Sequence, residues 1–177
     1  MLIRCCSYLL LAGGLILLSA CGGAPPEDAS KATPPASGAP KAQYSYAQMN
    51  DLRTAPQLGS GWYSVEEGAW RWMAKEAQLS LRTPDNETPQ FEVRFTLPKG
   101  QVSSLGPMKL TIVMNDKTVA EEVYSADGDY TFTKAVPPGT LTKEPVRIIL
   151  RWNKARAPVP GGDARELAAV VVAVGFK

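Results

Sequence analysis

The sequence contains no histidine, so it lacks the most common general base and the most common metal ligand of proteins. A catalytic triad that depends on histidine is therefore excluded. Cysteine is scarce as well, because the 177 residues include only Cys5, Cys6 and Cys21. The long remainder of the chain offers neither a disulfide nor a cysteine nucleophile. We expect its stability to come from a hydrophobic core.

The chain also lacks an excess of charge of either sign, with 19 Lys and Arg residues against 17 Asp and Glu residues. Without a block of like charge, neither nucleic acid nor a polybasic lipid-binding surface is expected. Two carboxylates can hydrolyse a glycosidic bond, but no pair stands out among the 17 acidic residues. A glycine-rich phosphate loop is missing too. We therefore predict a protein that is not an enzyme and needs no cofactor.

The N-terminus has the pattern of a secretory leader. Residues 1–4 carry one positive side chain, and residues 7–18 form an apolar run that is too short to span a bilayer. Leu18-Ser19-Ala20-Cys21 follows, and it resembles the lipobox of bacterial lipoproteins. An uncleaved anchor and an ordinary secretory signal are the alternatives.

The lipoprotein resemblance implies that residues 1–20 are a signal peptide and that Cys21 is the first mature residue. Cys21 would carry a diacylglycerol and an N-acyl chain, and several acyl chains make attachment to a bilayer stable. Gly22 follows the cysteine, where aspartate retains lipoproteins at the inner membrane of well-studied bacteria. Because aspartate is absent here, the analogy predicts the outer membrane as the location, with the outer face of the plasma membrane as the alternative.

Residues 22–57 are rich in Pro, Ala, Ser and Gly and poor in apolar bulk. Such a composition buries too little surface to offset the entropy of an ordered chain. We therefore predict a disordered tether over residues 21–57, and we assign residues 44–53 to it as well. The folded domain is expected to cover residues 58–177.

The domain shows period-two alternation of apolar and polar residues in short stretches separated by turn residues. Asn115-Asp116 is predicted to be the turn of a hairpin, and the last stretch, apolar on both faces, is predicted to be a central strand beside the strand that begins at Trp70. About eight strands without a long amphipathic helix indicate an all-β antiparallel β-sandwich of the jelly-roll type. The predicted strands cover residues 70–72, 77–82, 91–97, 108–114, 119–124, 130–133, 146–152 and 167–176.

Several short motifs support this class. Together they resemble jelly-roll modules of bacterial lipoproteins and envelope glycosyltransferases. The motifs are Gly61-Trp62-Tyr63, Trp70-Arg71-Trp72, Asp163 to Leu167 with Arg165 at its centre, and the ending Gly175-Phe176. The wider relatives of such modules are galactose-binding-like domains and other carbohydrate-binding jelly rolls. The resemblance covers roughly residues 60–177 and implies a fold more than an activity.

The aromatic side chains of these motifs have two interpretations. They form either a platform that stacks on sugar rings, with nearby charged groups bonding to hydroxyls, or a packed core with arginine ion pairs that join the two ends of the domain. The candidate ligand-binding residues are Trp62, Tyr63, Glu66, Trp70, Arg71, Trp72, Asp163 and Arg165.

Asp127-Gly128-Asp129 raises the question of calcium, but a turn explains these residues and we predict no metal site. The leading functional prediction is a lipid-anchored, non-catalytic binding domain for envelope glycans. The alternative is a structural or protein-interaction module of the bacterial cell envelope. Exposed aromatic residues in a groove beside Arg or Asp favour the first, and buried ones with another exposed apolar patch favour the second.

Overall fold

The computed structural model describes residues 44–142 and 144–177, so the leader, Cys21 and most of the predicted tether lie outside the described residues. None of the described helices is long and apolar enough to cross a bilayer. The elements are the strands β1 (Tyr46–Gln48), β2 (Trp62–Glu66), β3 (Trp70–Met73), β4 (Glu76–Leu81), β5 (Gln90–Leu97), β6 (Met108–Met114), β7 (Lys117–Tyr124), β8 (Gly128–Ala135), β9 (Val146–Trp152) and β10 (Ala169–Phe176), a 3-10 turn (Ala55–Gln57) and helix α1 (Gln101–Leu105).

The strands form two antiparallel sheets. Sheet A has the order β2-β3-β10-β5-β8, with β1 also paired to β10, and sheet B has the order β4-β9-β6-β7. From β3 to β10 the chain crosses between the sheets at every connection except the β6–β7 hairpin, which gives the jelly-roll order. The predicted antiparallel β-sandwich is confirmed.

The core lies between the sheets and follows the alternation of the sequence. In β5, Phe91, Val93, Phe95 and Leu97 are buried, whereas Arg94 is exposed. The inward residues of sheet B pack against them. Burial of apolar area stabilises the fold by roughly 25 cal/mol per Å² removed from water. Within the described ranges, residues of both sheets form one core cluster.

Two topological predictions are confirmed. Asn115 and Asp116 have φ values of 46° and 70°, the left-handed conformation that a tight hairpin turn requires, and they join β6 to β7. The last strand, β10, is central: Val170 pairs with Trp72 of β3 on one side and with Thr96 of β5 on the other.

The prediction that residues 44–57 belong to a disordered tether was wrong. Strand β1 pairs with β10, Ala47 and Met49 are buried in the core, and the side-chain amide of Gln57 donates to the carbonyl oxygens of Tyr44 and Ser80. A three-residue strand is too short to show a period, and it is held by tertiary contacts. Strand β2 was missed as well, because the register shift between Trp62 and Val65 interrupts its alternation.

Candidate functional site

Trp62 and Tyr63 belong to the interior of the fold. Trp62 is 3% exposed, and its Nε1–H donates to Gln78 O at 2.7 Å. Tyr63 is 8% exposed, and its hydroxyl donates to Glu166 O at 3.1 Å. Burial raises the pKa of Tyr63. Neither ring offers the open face that stacking on a sugar requires.

Arg71 joins three segments of backbone. Its Nε donates to Met49 O at 2.9 Å and its Nη1 donates to Tyr63 O at 2.8 Å. Burial lowers the pKa of the Arg71 guanidinium. Arg71 thus holds β3 against β2 and against the turn that follows β1, and among the described carboxylates none forms an ion pair with it.

Arg165 is the centre of a charged cluster with the two remaining acidic candidates. Its guanidinium contacts Asp163 at 2.8 Å and Glu66 at 2.5 Å, and it lies 5.2 Å from the centre of the Tyr63 ring. Hydrogen bonds to Asp163 and Glu66 raise the pKa of Arg165 despite partial burial, and the reciprocal bond lowers the pKa of Asp163. This cluster ties the loop before β10 to the end of β2.

Trp70 and Trp72 differ from these residues because both are only partly buried. Their neighbour Met73 points into the core, and alternation along β3 places the two tryptophans on the opposite, outer face of sheet A. The rings meet edge to face with centroids 6.1 Å apart. They form an accessible aromatic pair at one side of this face.

The strand register continues from Trp72 across the sheet in a single row. Trp72 pairs with Val170, Val170 pairs with Thr96, and Thr96 pairs with Asp129. Directly paired residues point to the same face of a sheet, and three strand spacings correspond to about 14 Å. The row therefore runs from an aromatic ring, over an aliphatic strip, to a hydroxyl and a carboxylate.

A depression of about 350 Å³ lies at the polar end of this row. Arg94, Thr96, Asp129, Thr131 and Val172 contribute to its lining. The Thr96 hydroxyl donates to Asp129 Oδ1 at 2.5 Å, which orients the carboxylate within the depression. We call the row from Trp72 to Asp129, with Trp70 and this depression, the sheet A face.

The outer face of sheet B has a different character. Arg151 pairs with Glu76 at 2.7 Å, and Lys109 pairs with Glu121 at 2.9 Å. Such exposed ion pairs satisfy one another and leave a solvated surface. The outer face of sheet B also carries Val123, which is 57% exposed and pairs with Lys109. What distinguishes the outer face of sheet A is the Trp70–Trp72 pair beside polar groups.

The polar half of the sheet A face was missed from the sequence. Arg94 and Thr96 alternate with the core residues of β5, and Asp129 and Thr131 alternate with those of β8. This alternation shows that the four side chains point away from the core. It does not show that β5 and β8 are neighbours, and only the sheet order places them beside the tryptophans.

The two acidic residues considered for calcium have other partners. Asp127 accepts hydrogen bonds from Gly100 N at 2.6 Å and Val102 N at 2.7 Å, and Asp129 accepts from Thr96. Among residues 44–142 and 144–177 there is no group of three or more potential metal-binding side chains. Asp127 acts as a support for the first turn of α1.

No family model matches the chain, and no curated protein matches it. Among solved structures, the chain is similar to a family GH115 4-O-methyl-alpha-glucuronidase described as specific for decorated arabinogalactans. The match has a TM-score of 0.40 and 11% identity, and it covers 63% of this chain but 14% of the enzyme. A similarity at this level carries no argument about function.

Proposed function

We propose that the protein is a non-catalytic module that binds a glycan on the sheet A face. The observation that carries the proposal is the accessible Trp70–Trp72 pair, placed in register with the polar depression at Thr96 and Asp129. The buried candidates Trp62, Tyr63 and Arg71 then support this face from behind and at its edge.

The chemistry of the face suits a carbohydrate. A pyranose ring has an apolar face of C–H groups, which packs on an indole, and a rim of hydroxyls, which need donors and acceptors. Asp129 accepts hydrogen bonds, Arg94 donates them, and the threonine hydroxyls do both. Because the row spans about 14 Å on an open surface, it fits several linked sugar units better than one enclosed small molecule.

Binding without catalysis is part of the proposal. Three carboxylates on or beside the sheet A face are already engaged: Asp129 by Thr96, Glu66 by Arg165, and Glu92 by Tyr46 and Lys177. A glycosidase needs two carboxyl groups that face each other across the scissile bond. We therefore assign the face to recognition.

A glycan array probed with residues 22–177 tests the proposal, followed by calorimetry with the best ligand. Trp72→Ala is expected to weaken binding by about tenfold or more, given what one aromatic contact contributes. Arg151→Ala, on the outer face of sheet B, is the matched control and should bind like the parent. Absence of binding to every envelope glycan would exclude this function and favour the alternative, a protein-interaction module.

We further propose that Cys21 anchors the protein to a bacterial membrane, with the outer membrane as its location. The lipobox-like Leu18-Ser19-Ala20-Cys21 sequence supports this, since it follows an apolar run of signal-peptide length. Mass spectrometry of the mature N-terminus is the direct test. A diacylated or triacylated Cys21 is expected, and an unmodified cysteine or cleavage elsewhere would rule the anchor out.

Separating the membranes of the producing cell tests the location. The protein is expected in the outer-membrane fraction, and Cys21→Ser is expected to release it from membranes. Recovery with the inner membrane would leave the anchor intact and disprove the outer-membrane location.

A further inference from the structure

Five described strands have a strand partner on one side only: β1, β2 and β8 in sheet A and β4 and β7 in sheet B. Strand β8 pairs with β5 through eight consecutive residue pairs, from Gln90–Ala135 to Leu97–Gly128, with no register shift. Its other edge is therefore straight and continuous. Within the described ranges, no strand, isolated bridge or backbone hydrogen bond occupies that edge.

The other four edges are short, blocked or interrupted. Strand β1 has only three residues, and so short an edge strand offers little to pair with. The segment before β2 covers β4, since Gly59 N donates to Gln78 O at 2.8 Å and Gln78 N donates to Ser60 O at 2.9 Å. Strands β2 and β7 each contain a register shift, which bends an edge away from a new partner. Strand β8 is the edge of the described domain that resembles a free template for another strand.

The side chains of β8 select the direction in which a copy of the chain would pair. The middle of the strand, Tyr130 to Thr133, is neutral and consists of aromatic and β-branched residues, which favour strands. Its charged residues lie towards opposite ends, Asp129 near the start and Lys134 near the finish. An antiparallel copy centred at Phe132 places Asp129 opposite Ala135 and Lys134 opposite Tyr130, so no like charges face each other. A parallel copy in register would place Asp129 beside Asp129 and Lys134 beside Lys134, which is unfavourable.

We propose that two copies of this chain pair antiparallel through β8, about a two-fold axis at Phe132. In this register Thr131 of one copy faces Thr133 of the other, on the outer face, where threonine pairs stabilise a sheet. Lys134 faces Tyr130 of the second copy, an ammonium beside an aromatic ring. A register centred on Thr131 would pair Gly128 instead, which offers no side chain to pack.

Such a dimer has a consequence for the sheet A face. The two copies of sheet A would become one continuous sheet, with the depressions that Asp129 and Thr131 help to line on either side of the seam. Two faces side by side would bind a long polymer with an avidity that one face lacks. The dimer itself is inferred from the edge alone and does not rest on glycan binding.

Sedimentation of residues 22–177 over a range of concentrations tests the inference, since this chain keeps every residue of the described core. A reversible monomer–dimer equilibrium is expected. Thr131→Lys with Thr133→Lys places like charges opposite each other twice, so it should weaken the dimer by about tenfold or more. Thr131→Lys with Thr133→Glu, equally exposed and equally substituted, should restore it because the same pairs become attractive.

Cysteine cross-linking checks the register, since the chain after Cys21 contains no other cysteine. A mixture of Thr131→Cys and Thr133→Cys proteins should form a disulfide heterodimer, while either protein alone, and Thr118→Cys on β7, should not. A monomer at every concentration overturns the inference, as does cross-linking of Thr131→Cys to itself. A chain of residues 44–177 that dimerises when residues 22–177 do not would also overturn it, because the preceding segment would then be what covers β8.

Discussion

Replacement of Trp62 and Trp72 by alanine, in separate variants, should separate packing from binding. Trp62 is 3% exposed and lies in the main core cluster, so its removal leaves a cavity that the two sheets cannot fill. Truncation of a buried large aromatic residue costs about 3–5 kcal/mol. The variant also leaves Gln78 O without the indole donor that it has at 2.7 Å.

Trp72 should cost less, because part of its ring is in water in the folded protein. It packs on the outer face beside Trp70 and leaves no enclosed cavity when shortened. Loss of the buried part of such a side chain amounts to about 1–2 kcal/mol at 25 cal/mol per Å². The two variants should therefore differ by about 2–3 kcal/mol in the free energy of unfolding.

Equilibrium unfolding in urea measures this difference, and calorimetry with a glycan ligand measures binding of each folded variant. Trp62→Phe is the matched control for the hydrogen bond. It keeps most of the apolar volume and should lose about 1 kcal/mol through the missing indole hydrogen bond, since Gly59 N still donates to Gln78 O at 2.8 Å. All three variants should show the same dependence of unfolding free energy on urea as the parent.

The reasoning would be refuted by equal losses of stability at Trp62 and Trp72, since that would place Trp72 in the core. It would also be refuted if folded Trp72→Ala bound the ligand as the parent does while Trp62→Phe did not. Either result would mean that the exposed surface of sheet A is not the recognition surface.

Three further substitutions test the ends of the domain. Gly175→Ala would place a Cβ 2.8 Å from Tyr46 Cδ2, so it should displace β1, cost about 1–3 kcal/mol and speed hydrogen exchange in β1. Burial would raise the pKa of Glu92, but hydrogen bonds from Lys177 and Tyr46 outweigh it and lower that pKa below 4.5. The stabilisation by ionised Glu92 is therefore complete above pH 4.5 and is lost as the pH falls through the pKa of Glu92 in the folded protein. The difference in unfolding free energy between the parent and Glu92→Gln should shrink in acid, and urea titrations at several pH values measure it. Burial and the neighbouring Glu92 raise the pKa of Tyr46 to about 12, and an NMR titration of Glu92→Gln should find it lower. Arg165→Lys keeps the charge but loses the planar guanidinium that reaches two carboxylates, so it should destabilise the domain by about 1 kcal/mol. Thermal unfolding measures this loss, and unchanged stability would mean that the Arg165 cluster contributes nothing to folding.

Most of the fold was visible in the sequence because its strands have one buried and one solvated face. In β5 the alternation of Phe91, Val93 and Phe95 with polar residues predicts both the strand and its orientation. The last strand was predicted to be central because residues 167–176 are apolar on both faces, and β10 indeed has partners on both sides. These signals are local, so no knowledge of the strand neighbours is needed to read them.

What the sequence does not contain is the order of strands across a sheet. Trp72 and Asp129 are far apart in the chain and share a row only because β10 and β5 lie between their strands. The same limit explains why β1 was not predicted. Its strand conformation depends on pairing with β10 and on the burial of Met49 rather than on any pattern of its own. Side-chain roles were equally ambiguous, since Trp62 and Trp72 look alike in sequence, yet Trp62 is buried in the core and Trp72 is half-buried on the outer face of sheet A.

The strand registers also relate the proposed anchor to the proposed binding surface. Tyr46 pairs with Gly175 near the end of β10, whereas Trp72 pairs with Val170 near its start. Five residues of strand separate these positions by about 17 Å along the sheet. A chain that arrives from Cys21 therefore joins the domain at one end of sheet A, and the row from Trp72 to Asp129 crosses the sheet towards the other end. If the domain is held at a membrane as proposed, the described domain therefore presents the row from Trp72 to Asp129 at the end of sheet A opposite to Tyr46.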